Sequence, residues 1–427
     1  MIPLLLKPGM MSFLSRVLPE PYHSGCEAFR DALIANPDHP IIRVSERMSK
    51  DIDPRVRMRF FRNFVLGWLF RGHGIRSRSD VPFPPLLLIS VTDACNYRCK
   101  GCYAAGHEKG HQMDRALVDR LINEAVGYGT NHFVILGGEP FMWPHLLDTL
   151  RSHPDCWFQI YTNGSKIDRE VARELRRAGN AQIMISLEGL RENTDSRRGE
   201  GAYENCIQAM ENLRAERMPF GAGITCYKSN LDEVTSDAFV KEMVHQGCLF
   251  LWYFWYMPYG DLPNFGEVLT REDRQRLSRE ILRIRNSYPV ISADQIADCV
   301  PIGGCSARSG LTLHITTSGL VEACAQMHFS DSTVEEKSIA EILRDSDFLR
   351  RVRTHAPDPQ SACYLQDRCS ELQEIVRLSN AWDNTSGRDT ECLASMANDE
   401  DSFDENHTAS DAYEPLIRFF FRMLTER

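Results

Sequence analysis

The chain is organised around one stretch, Val91-Thr92-Asp93-Ala94-Cys95-Asn96-Tyr97-Arg98-Cys99-Lys100-Gly101-Cys102-Tyr103, which follows the apolar run Leu86 to Ile89. Cys95, Cys99 and Cys102 have the spacing C-x3-C-x2-C, so one short loop supplies three thiolates to a single inorganic centre. A cubane iron–sulfur cluster has four irons, so three ligands leave one iron open. An open iron suits a catalyst, whereas an electron carrier usually fills all four positions.

Structural zinc is the rival interpretation of the same loop. Zinc normally takes four ligands, often as two separated pairs, and neither His107 nor His111 completes a usual zinc spacing. The spacing alone therefore favours a cluster but leaves zinc open.

Length, charge and cysteine content set limits on the kind of protein. A chain of 427 residues predicts a main catalytic domain with satellites. A formal charge of -10 argues against nucleic acid as a partner. The 14 cysteines cluster at short spacings, which favours metal ligation in a reducing compartment over disulfides. With no convincing secretory signal and no uncharged run long enough to cross a bilayer, we expect a cytoplasmic protein.

Short apolar runs alternate with amphipathic stretches after Pro82, a pattern typical of parallel strands with crossover helices. Predicted strands are Leu86 to Val91, His132 to Leu136, Trp157 to Tyr161, Gln182 to Ser186, Phe220 to Cys226 and Phe250 to Trp255. Predicted helices are Arg115 to Tyr128, Arg169 to Ala178, Tyr203 to Arg214 and Asp237 to His245. The fold class is α/β, as either an open doubly wound sheet or a barrel.

Both of these folds gather reactive groups beyond the carboxyl ends of the strands. The cysteine loop follows the first predicted strand and Gly137-Gly138-Glu139-Pro140 follows the second. Thr162-Asn163-Gly164 follows the third and Glu188-Gly189 the fourth. The sequence therefore predicts one site at this edge of the sheet.

Four parts follow from these patterns: residues 1–80 as an N-terminal helical region, 81–290 as the core, 291–378 as a small domain with further cysteines, and 379–427 as an acidic linker with a C-terminal helix. Within the first part, Pro54 to Arg71 predicts a basic amphipathic helix. That helix either touches a membrane surface or packs on the main domain with its arginines solvated.

The sixth predicted strand continues into an aromatic run, Trp252 to Tyr259. Alternation places Trp252, Phe254 and Tyr256 on one side. They form either an apolar wall for a substrate or part of a strand buried on both faces.

Taken together, the motifs from Leu86 to about Tyr259 resemble the signature of radical S-adenosylmethionine (SAM) enzymes. The resemblance implies a partial (β/α)6 barrel of the radical SAM type and a [4Fe-4S] cluster held by Cys95, Cys99 and Cys102. In that family the open iron binds SAM, and an electron from the cluster cleaves it to a 5'-deoxyadenosyl radical that abstracts a substrate hydrogen.

The resemblance also implies residues that contact SAM. They are Tyr103 beside the third cysteine, Gly137, Gly138, Glu139 and Pro140 near the amino group, Asn163, Ser186 and Glu188 near the ribose and methionine portions, and Arg198 near the carboxylate. Glu139 suits the ammonium because a carboxylate accepts charge-assisted hydrogen bonds. For the carboxylate, Arg197 is an adjacent candidate.

Downstream, Cys305 and Gly319 to Cys324 resemble the opening of the SPASM or twitch region, with Leu311 to Thr316 and Leu320 to Ala323 as a hairpin. The resemblance implies an auxiliary iron–sulfur cluster held by Cys305, Cys324, Cys363 and Cys369, with Cys299 as a substitute. Gln360 and Gln373 stand where the full pattern has cysteines, so we expect one auxiliary cluster rather than two.

The resulting hypothesis is a radical SAM enzyme that takes its electron from an external donor such as flavodoxin or ferredoxin. The alternative is a non-catalytic iron–sulfur electron-transfer or metal-binding protein on the same scaffold. A peptide and a lipid-like molecule both remain open as substrate.

Overall fold

The computed structural model describes residues 16, 22–36, 38, 40–106, 110–260, 262–302, 304–354 and 363–397. The predicted acidic linker at 398–406 and the aromatic helix at 413–424 lie outside these residues.

The described residues form short and medium-length helices that lie before, between and after the strands of a central sheet in the sequence, together with a π-helix at Phe61–Gly72. The α-helices are α1 Tyr22–Ala35, α2 Pro40–Asp51, α3 Pro54–Phe60, α4 His73–Arg76, α5 Arg115–Gly127, α6 Leu146–Ser152, α7 Arg169–Ala178, α8 Arg191–Arg198, α9 Ala202–Ala215, α10 Leu231–Val234, α11 Asp237–Gln246, α12 Arg271–Ser287, α13 Ile339–Asp345, α14 Asp347–Thr354, α15 Tyr364–Asp367, α16 Cys369–Ser379 and α17 Arg388–Ala397.

One nine-stranded sheet forms the centre of the molecule, in the order β7-β6-β5-β4-β3-β2-β1-β8-β9. Its strands are β1 Leu86–Ser90, β2 His132–Leu136, β3 Trp157–Thr162, β4 Ala181–Leu187, β5 Phe220–Cys226, β6 Phe250–Trp255, β7 Ile291–Asp294, β8 Thr312–Ile315 and β9 Val321–Glu322. A small second sheet pairs β10 Phe329–Ser330 with β11 Trp382–Asp383. The α/β class and the six predicted core strands are confirmed.

Strands β1 to β6 pair in parallel, each with its sequence neighbour, as crossover helices require. The helices predicted from periodicity lie between them with ends within one residue of those expected. Each strand buries one face under these helices and turns the other toward the interior of the curved sheet. The result is a partial barrel of the expected type.

Two additions extend the barrel at its edges. Strand β7 pairs in parallel with β6, and β8 pairs in parallel with β1. The predicted hairpin forms, with β8 and β9 antiparallel, and it covers the edge of β1 that would otherwise present unpaired backbone groups. The sheet thus runs across the predicted boundary at residue 290.

The predicted helix from Pro54 to Arg71 is an α-helix only as far as Phe60, after which π turns continue to Gly72. Asp53 caps its start by accepting from the Arg55 backbone N–H at 2.8 Å. Rings on this segment stack in succession, with centroids 4.9 Å apart from Phe60 to Phe64 and 4.9 Å from Phe64 to Trp68. This aromatic face packs against the barrel.

Two arginines of this predicted basic helix bind the main domain. Arg59 donates to the Ala178 carbonyl, and Arg62 pairs with Asp155 at 2.7 Å. Met58 and Leu66, by contrast, are half exposed. Among the residues with described structure, no helix combines the length and apolar character needed to cross a membrane.

Candidate active site

A cavity of about 830 Å³ lies inside the barrel and opens toward the carboxyl ends of the strands. Cys95, Cys99 and Cys102 line it together with Gly137 and Gly138, which follow β2. The structure therefore brings the three cysteines of the loop and the first strand-end motif to one wall, as the sequence predicts.

The neighbouring turns add two more of the predicted residues to the cavity wall. Asn163 follows β3 and Ser186 is the penultimate residue of β4, and both line the cavity. Trp252, Phe254 and Trp255 of β6 also line it, whereas Tyr253 is fully buried in the core. Phe254 meets the Tyr161 ring edge-on at a centroid distance of 5.6 Å. The sixth strand thus supplies a large apolar part of the cavity wall.

Backbone contacts fix the cysteine loop against the turn after β2. Gly138 N–H donates to the Thr92 carbonyl at 2.6 Å, and Glu139 N–H donates to the Ala94 carbonyl at 2.8 Å. A Cβ on Gly137 would lie 2.3 Å from the Thr92 oxygen, and one on Gly138 would lie 2.4 Å from the Ala94 oxygen. Glycine is required here because the backbone of the cysteine loop comes so close.

The Glu139 carboxylate makes hydrogen bonds to groups of the protein itself. It is fully buried and accepts from the Thr162 hydroxyl at 2.7 Å, the Asn163 N–H at 2.8 Å and the Phe141 N–H at 3.1 Å. Burial raises the pKa of Glu139, and these hydrogen bonds oppose the shift. Glu139 therefore ties the turns after β2 and β3 together, and Pro140 begins the short helical turn behind it.

Asn163 connects the turn after β3 to the cysteine loop. Its amide donates to the Asn96 side-chain oxygen at 3.0 Å, and Asn96 donates to the Ser165 hydroxyl at 2.9 Å. Asn96 was not among the predicted site residues, although its place inside the C-x3-C spacing put it beside the cysteines. This small network orients the first half of the loop.

The Glu188 carboxylate likewise pairs with groups of this chain. It is fully buried, and Arg198 binds it with two hydrogen bonds of 2.5 and 2.7 Å while Arg197 adds a third of 2.6 Å. Burial alone would raise the pKa of Glu188, but the two arginines outweigh it and lower that pKa. The predicted anion partner Arg198 thus has a carboxylate of this chain as its partner, while both arginines still line the cavity.

Arg197 has a second task that sequence reasoning missed. Its guanidinium donates to the Gly101 carbonyl at 3.2 Å, and its own carbonyl accepts from Lys100 N–H at 2.9 Å. Arg197 therefore holds the second half of the cysteine loop in place. Burial raises the pKa of the adjacent Cys99 thiol, and the nearby Arg198 charge opposes that shift.

Tyr103 is held from the C-terminal side of the chain. Its ring stacks on His328 with centroids 6.1 Å apart, and His328 pairs with Asp389 at 2.5 Å. Asp389 also accepts from Gly260 N–H at 3.2 Å, and a Cβ on Gly260 would lie 2.6 Å from the Cys102 carbonyl. We call His328, Asp389 and Gly260 the C-terminal clamp, because they press on the end of the cysteine loop.

Three of the four predicted auxiliary cysteines lie together. Burial raises the pKa of the Cys363 thiol, and Cys305 and Cys324 lie close enough to raise it further. Burial likewise raises the pKa of Cys324 to about 12. Cys299 sits within electrostatic reach of Cys305, whereas the thiol of Cys369 donates to the Leu365 carbonyl at 3.3 Å.

The donor sets fit a cluster better than a single ion. Within the described part of the chain, no three His, Cys, Asp or Glu side chains form a group able to hold one metal ion. Ligands of an iron–sulfur cluster bind different irons, so their sulfur atoms do not need to converge on one point. The three thiols on one cavity wall fit such a cluster, and the two side-chain-free glycines beside them leave space for a ligand.

Comparison with known proteins assigns the central region. Residues 89–238 match the family model of the Radical SAM superfamily. Fe-coproporphyrin III synthase of Methanosarcina barkeri is 28% identical over 173 residues, which cover 39% of this chain and 43% of that protein. Mycofactocin maturase MftC of Mycobacterium ulcerans is 32% identical over 138 residues, covering 31% and 37%. The chain spans less than half the length of these curated relatives.

Solved structures agree with this assignment at the level of the fold. Streptococcus suis SuiB bound to SAM has a TM-score of 0.58 at 15% identity, covering 66% of this chain and 74% of that one. SuiB bound to its precursor peptide SuiA has a TM-score of 0.57 at 16% identity, covering 69% and 73%.

Proposed function

We propose that the chain is a radical SAM enzyme whose [4Fe-4S] cluster is held by Cys95, Cys99 and Cys102, because residues 89–238 match the Radical SAM superfamily model. When bound, the cluster and SAM supply a 5'-deoxyadenosyl radical able to remove a hydrogen atom from an unactivated C–H bond. The alternative, a non-catalytic electron-transfer protein on the same scaffold, predicts a cluster whose spectrum does not respond to SAM.

One observation carries the proposal: the three thiols face the same cavity as the glycine turn after β2. The loop and the turn are joined by the two short backbone hydrogen bonds from Gly138 and Glu139. A ligand seated on Gly137 and Gly138 is therefore placed directly beside the thiols. Positioning of this kind is how a site lowers the entropic part of a barrier.

The other residues of the site have supporting tasks. Asn163 and Ser186 line the wall where the resemblance places the ribose and methionine portions of SAM. Arg198, although paired with Glu188, keeps positive charge beside the thiols. Trp252 and Phe254 form an apolar part of the wall and exclude water, which protects a reactive intermediate from side reactions.

For the second cysteine group we propose an auxiliary iron–sulfur cluster held by Cys305, Cys324 and Cys363. The fourth ligand is Cys299, because its thiol neighbours Cys305. Cys299 and Cys369 both donate to the carbonyl four residues earlier, so that hydrogen bond does not separate the two candidates. An external donor such as flavodoxin or ferredoxin delivers electrons to the protein. Burial of these thiols suits an electron-transfer role, because a buried cluster is shielded from solvent.

The experiment that tests the main proposal uses protein reconstituted anaerobically with iron and sulfide. With dithionite and SAM, the wild-type protein is expected to form 5'-deoxyadenosine, and Cys99→Ala is expected to form none. Cys156→Ala is the matched control, since Cys156 is a buried cysteine away from the cavity. Wild-type turnover by Cys99→Ala would refute the proposal.

Iron analysis of three further variants tests the auxiliary site. Cys324→Ala is expected to lose about half of the bound iron, because each cluster carries about four irons. Cys299→Ala is expected to perturb the auxiliary spectrum, and Cys369→Ala to leave it unchanged. The reverse order, with Cys369→Ala perturbing and Cys299→Ala silent, would assign the fourth position to Cys369.

A further inference from the structure

The cavity is not confined to the carboxyl ends of the strands. Its wall includes Leu86, His132 and Phe250, which are the first residues of β1, β2 and β6, as well as the cysteine loop at the other end. At about 3.3 Å per residue, a strand of five residues spans about 17 Å. The cavity therefore runs the length of the barrel, well past the space beside the cysteines.

Most of the surface of the cavity wall is apolar, although polar side chains such as Gln159 and Gln182 are part of it. Leu88 and Val134 face the cavity from β1 and β2, and Phe64 and Trp68 close it from the π-helix. Burial of apolar surface against such walls is favourable for a hydrocarbon, at roughly 25 cal/mol per Å². A peptide would lose hydrogen bonds there, because each amide taken from water needs a partner.

The polar groups inside the barrel are mostly paired with each other. Trp157 donates to Gln182 at 3.3 Å, Gln182 donates to Gln159 at 3.0 Å, and Gln159 donates to the Tyr161 hydroxyl at 2.7 Å. At the β7 side, the cavity-lining Arg285 is paired with Asp298. These groups are satisfied within the protein and offer little to a charged or strongly polar ligand.

His132 and Ser292 are exceptions, since no described residue hydrogen-bonds either ring nitrogen of His132 or the Ser292 hydroxyl. The His132 side chain is buried, and its ring meets Trp68 edge-on at 4.6 Å and Phe64 at 5.2 Å. Burial lowers the pKa of His132 to about 3, so the imidazole is neutral at ordinary pH. A buried neutral imidazole without a partner is costly unless a ligand supplies one.

Apolar side chains of the π-helix segment are exposed at this end. Leu66 lines the cavity and is 48% exposed, and the exposed Met58 lies two turns earlier on the same helical segment. Exposed apolar side chains beside an apolar cavity suit a molecule that leaves a lipid environment. They do not suit a water-soluble small molecule.

We propose that the barrel interior binds a long hydrocarbon chain of a lipid, acyl or prenyl, that enters beside Leu66 and extends toward the cysteine loop. A neutral polar group of the lipid, such as a hydroxyl, hydrogen-bonds His132. This proposal rests on the proposed function only for the reaction of the hydrocarbon chain, because binding places C–H bonds of the lipid beside the SAM site. Binding itself is independent of the cluster.

The test measures binding of tritiated hexadecan-1-ol to the full-length reconstituted protein. Wild type is expected to bind it saturably. Ala293 of β7 lines the cavity, so Ala293→Trp fills the interior and is expected to weaken binding at least about tenfold, a loss of about 1.4 kcal/mol. Ala293→Ser is the matched control, and its affinity for hexadecan-1-ol is expected to lie within about twofold of the wild-type affinity.

A second variant keeps the test decisive if Ala293→Trp fails to fold. His132→Phe keeps an aromatic ring but removes both nitrogens. It is expected to weaken the binding of hexadecan-1-ol about fivefold, as for one lost hydrogen bond, and to leave the binding of hexadecane unchanged. Absence of saturable binding to wild type, or displacement of hexadecan-1-ol by an apolar decapeptide at equal concentration, would overturn the assignment.

Formation of 5'-deoxyadenosine, measured on the same wild-type preparation, separates the two proposals. Alcohol binding without SAM cleavage would refute the proposed function and leave lipid binding standing. SAM cleavage without alcohol binding would refute lipid binding alone.

Discussion

The two ends of the barrel are built in different ways. At the carboxyl end, glycine turns, a buried carboxylate–arginine group and backbone hydrogen bonds hold a cysteine loop in one position. At the amino end, rings of the π-helix pack on the first residues of the strands, and His132 lies between them. The first end depends on directional polar contacts and the second on apolar packing.

This difference predicts different responses to substitution. Polar positioning has little tolerance, because a displacement of about 1 Å can cost about a hundredfold in rate. Apolar packing tolerates change of shape at a graded cost in stability. Variants at the two ends therefore test whether activity and stability are divided between them in this way.

The largest effect is expected from Gly137→Ala at the carboxyl end. A Cβ there would lie 2.3 Å from the Thr92 oxygen, and the φ of 150° is unfavourable for alanine. Displacement of the loop should lower 5'-deoxyadenosine formation at least about a hundredfold and reduce iron bound at the first site, measured by product assay and iron analysis.

Gly127→Ala provides the control, since nothing lies within 4 Å of a Cβ at Gly127. It should leave activity unchanged and alter the free energy of unfolding by less than about 1 kcal/mol. Equal activity of the two variants would show that the loop does not depend on this close approach.

Arg198→Gln comes next and should affect both stability and the site. Removing one partner from a buried ion pair costs about 3 kcal/mol, because Glu188 keeps only Arg197. The sign with pH follows from the lowered pKa of Glu188, whose stabilising contribution is present above its unfolded value and is lost as pH falls. Denaturant unfolding at pH 7 and at about pH 3.5, which is below the ordinary glutamate pKa of about 4.3, measures both.

Arg191→Gln is the matched control, because its pair with Glu204 is exposed on both sides. No measurable change in stability is expected. If Arg198→Gln behaves in the same way, the buried group does not stabilise the carboxyl end.

Trp68→Phe tests the amino end and should cost about 2 kcal/mol of unfolding free energy. The substitution removes the indole N–H that donates to the buried Pro85 carbonyl at 2.6 Å and leaves that oxygen without its donor. SAM cleavage should be retained, in contrast to Gly137→Ala. Trp382→Phe, at a tryptophan that is 46% exposed, should leave the unfolding free energy nearly unchanged.

Among the effects on folding, His132→Phe should give the smallest, and it should be measurable as a change in the pH dependence of stability. With a folded pKa of about 3, wild type loses stability as pH falls from 6.5, because only the unfolded state then binds a proton. The variant lacks this loss, so its stability relative to wild type should rise by about 1 kcal/mol between pH 7.5 and 5.5. His245→Gln, at an exposed histidine, should show no such change.

The same contrast explains what the sequence predicts well. Strands β2, β5 and β6 have the predicted ends, because apolar runs bounded by turn residues mark buried parallel strands clearly. The carboxyl end is likewise encoded in short motifs, so the residues of the cysteine loop and the strand-end turns are predicted by position alone.

The structure of the amino end cannot be predicted from local sequence patterns, because its parts are far apart in sequence. The π turns from Phe61 carry the same periodic aromatic residues as an α-helix, so periodicity does not separate the two. Pairing of β8 with β1, across more than 200 residues, leaves no local signal. The hydrogen bonds that Glu139 and Glu188 make within the protein are not predictable either, because a motif names residues but does not show which way a carboxylate turns.

The C-terminal clamp has a consequence for the timing of synthesis. Asp389 is made about 290 residues after Cys102, which at a rate of 5–20 residues per second corresponds to about 15–60 s. Until Asp389 is made, the C-terminal clamp is incomplete, because Asp389 is the partner of both His328 and the Gly260 N–H. The nascent chain therefore presents three accessible thiols, which gives the machinery that delivers iron and sulfur a window before the loop is closed.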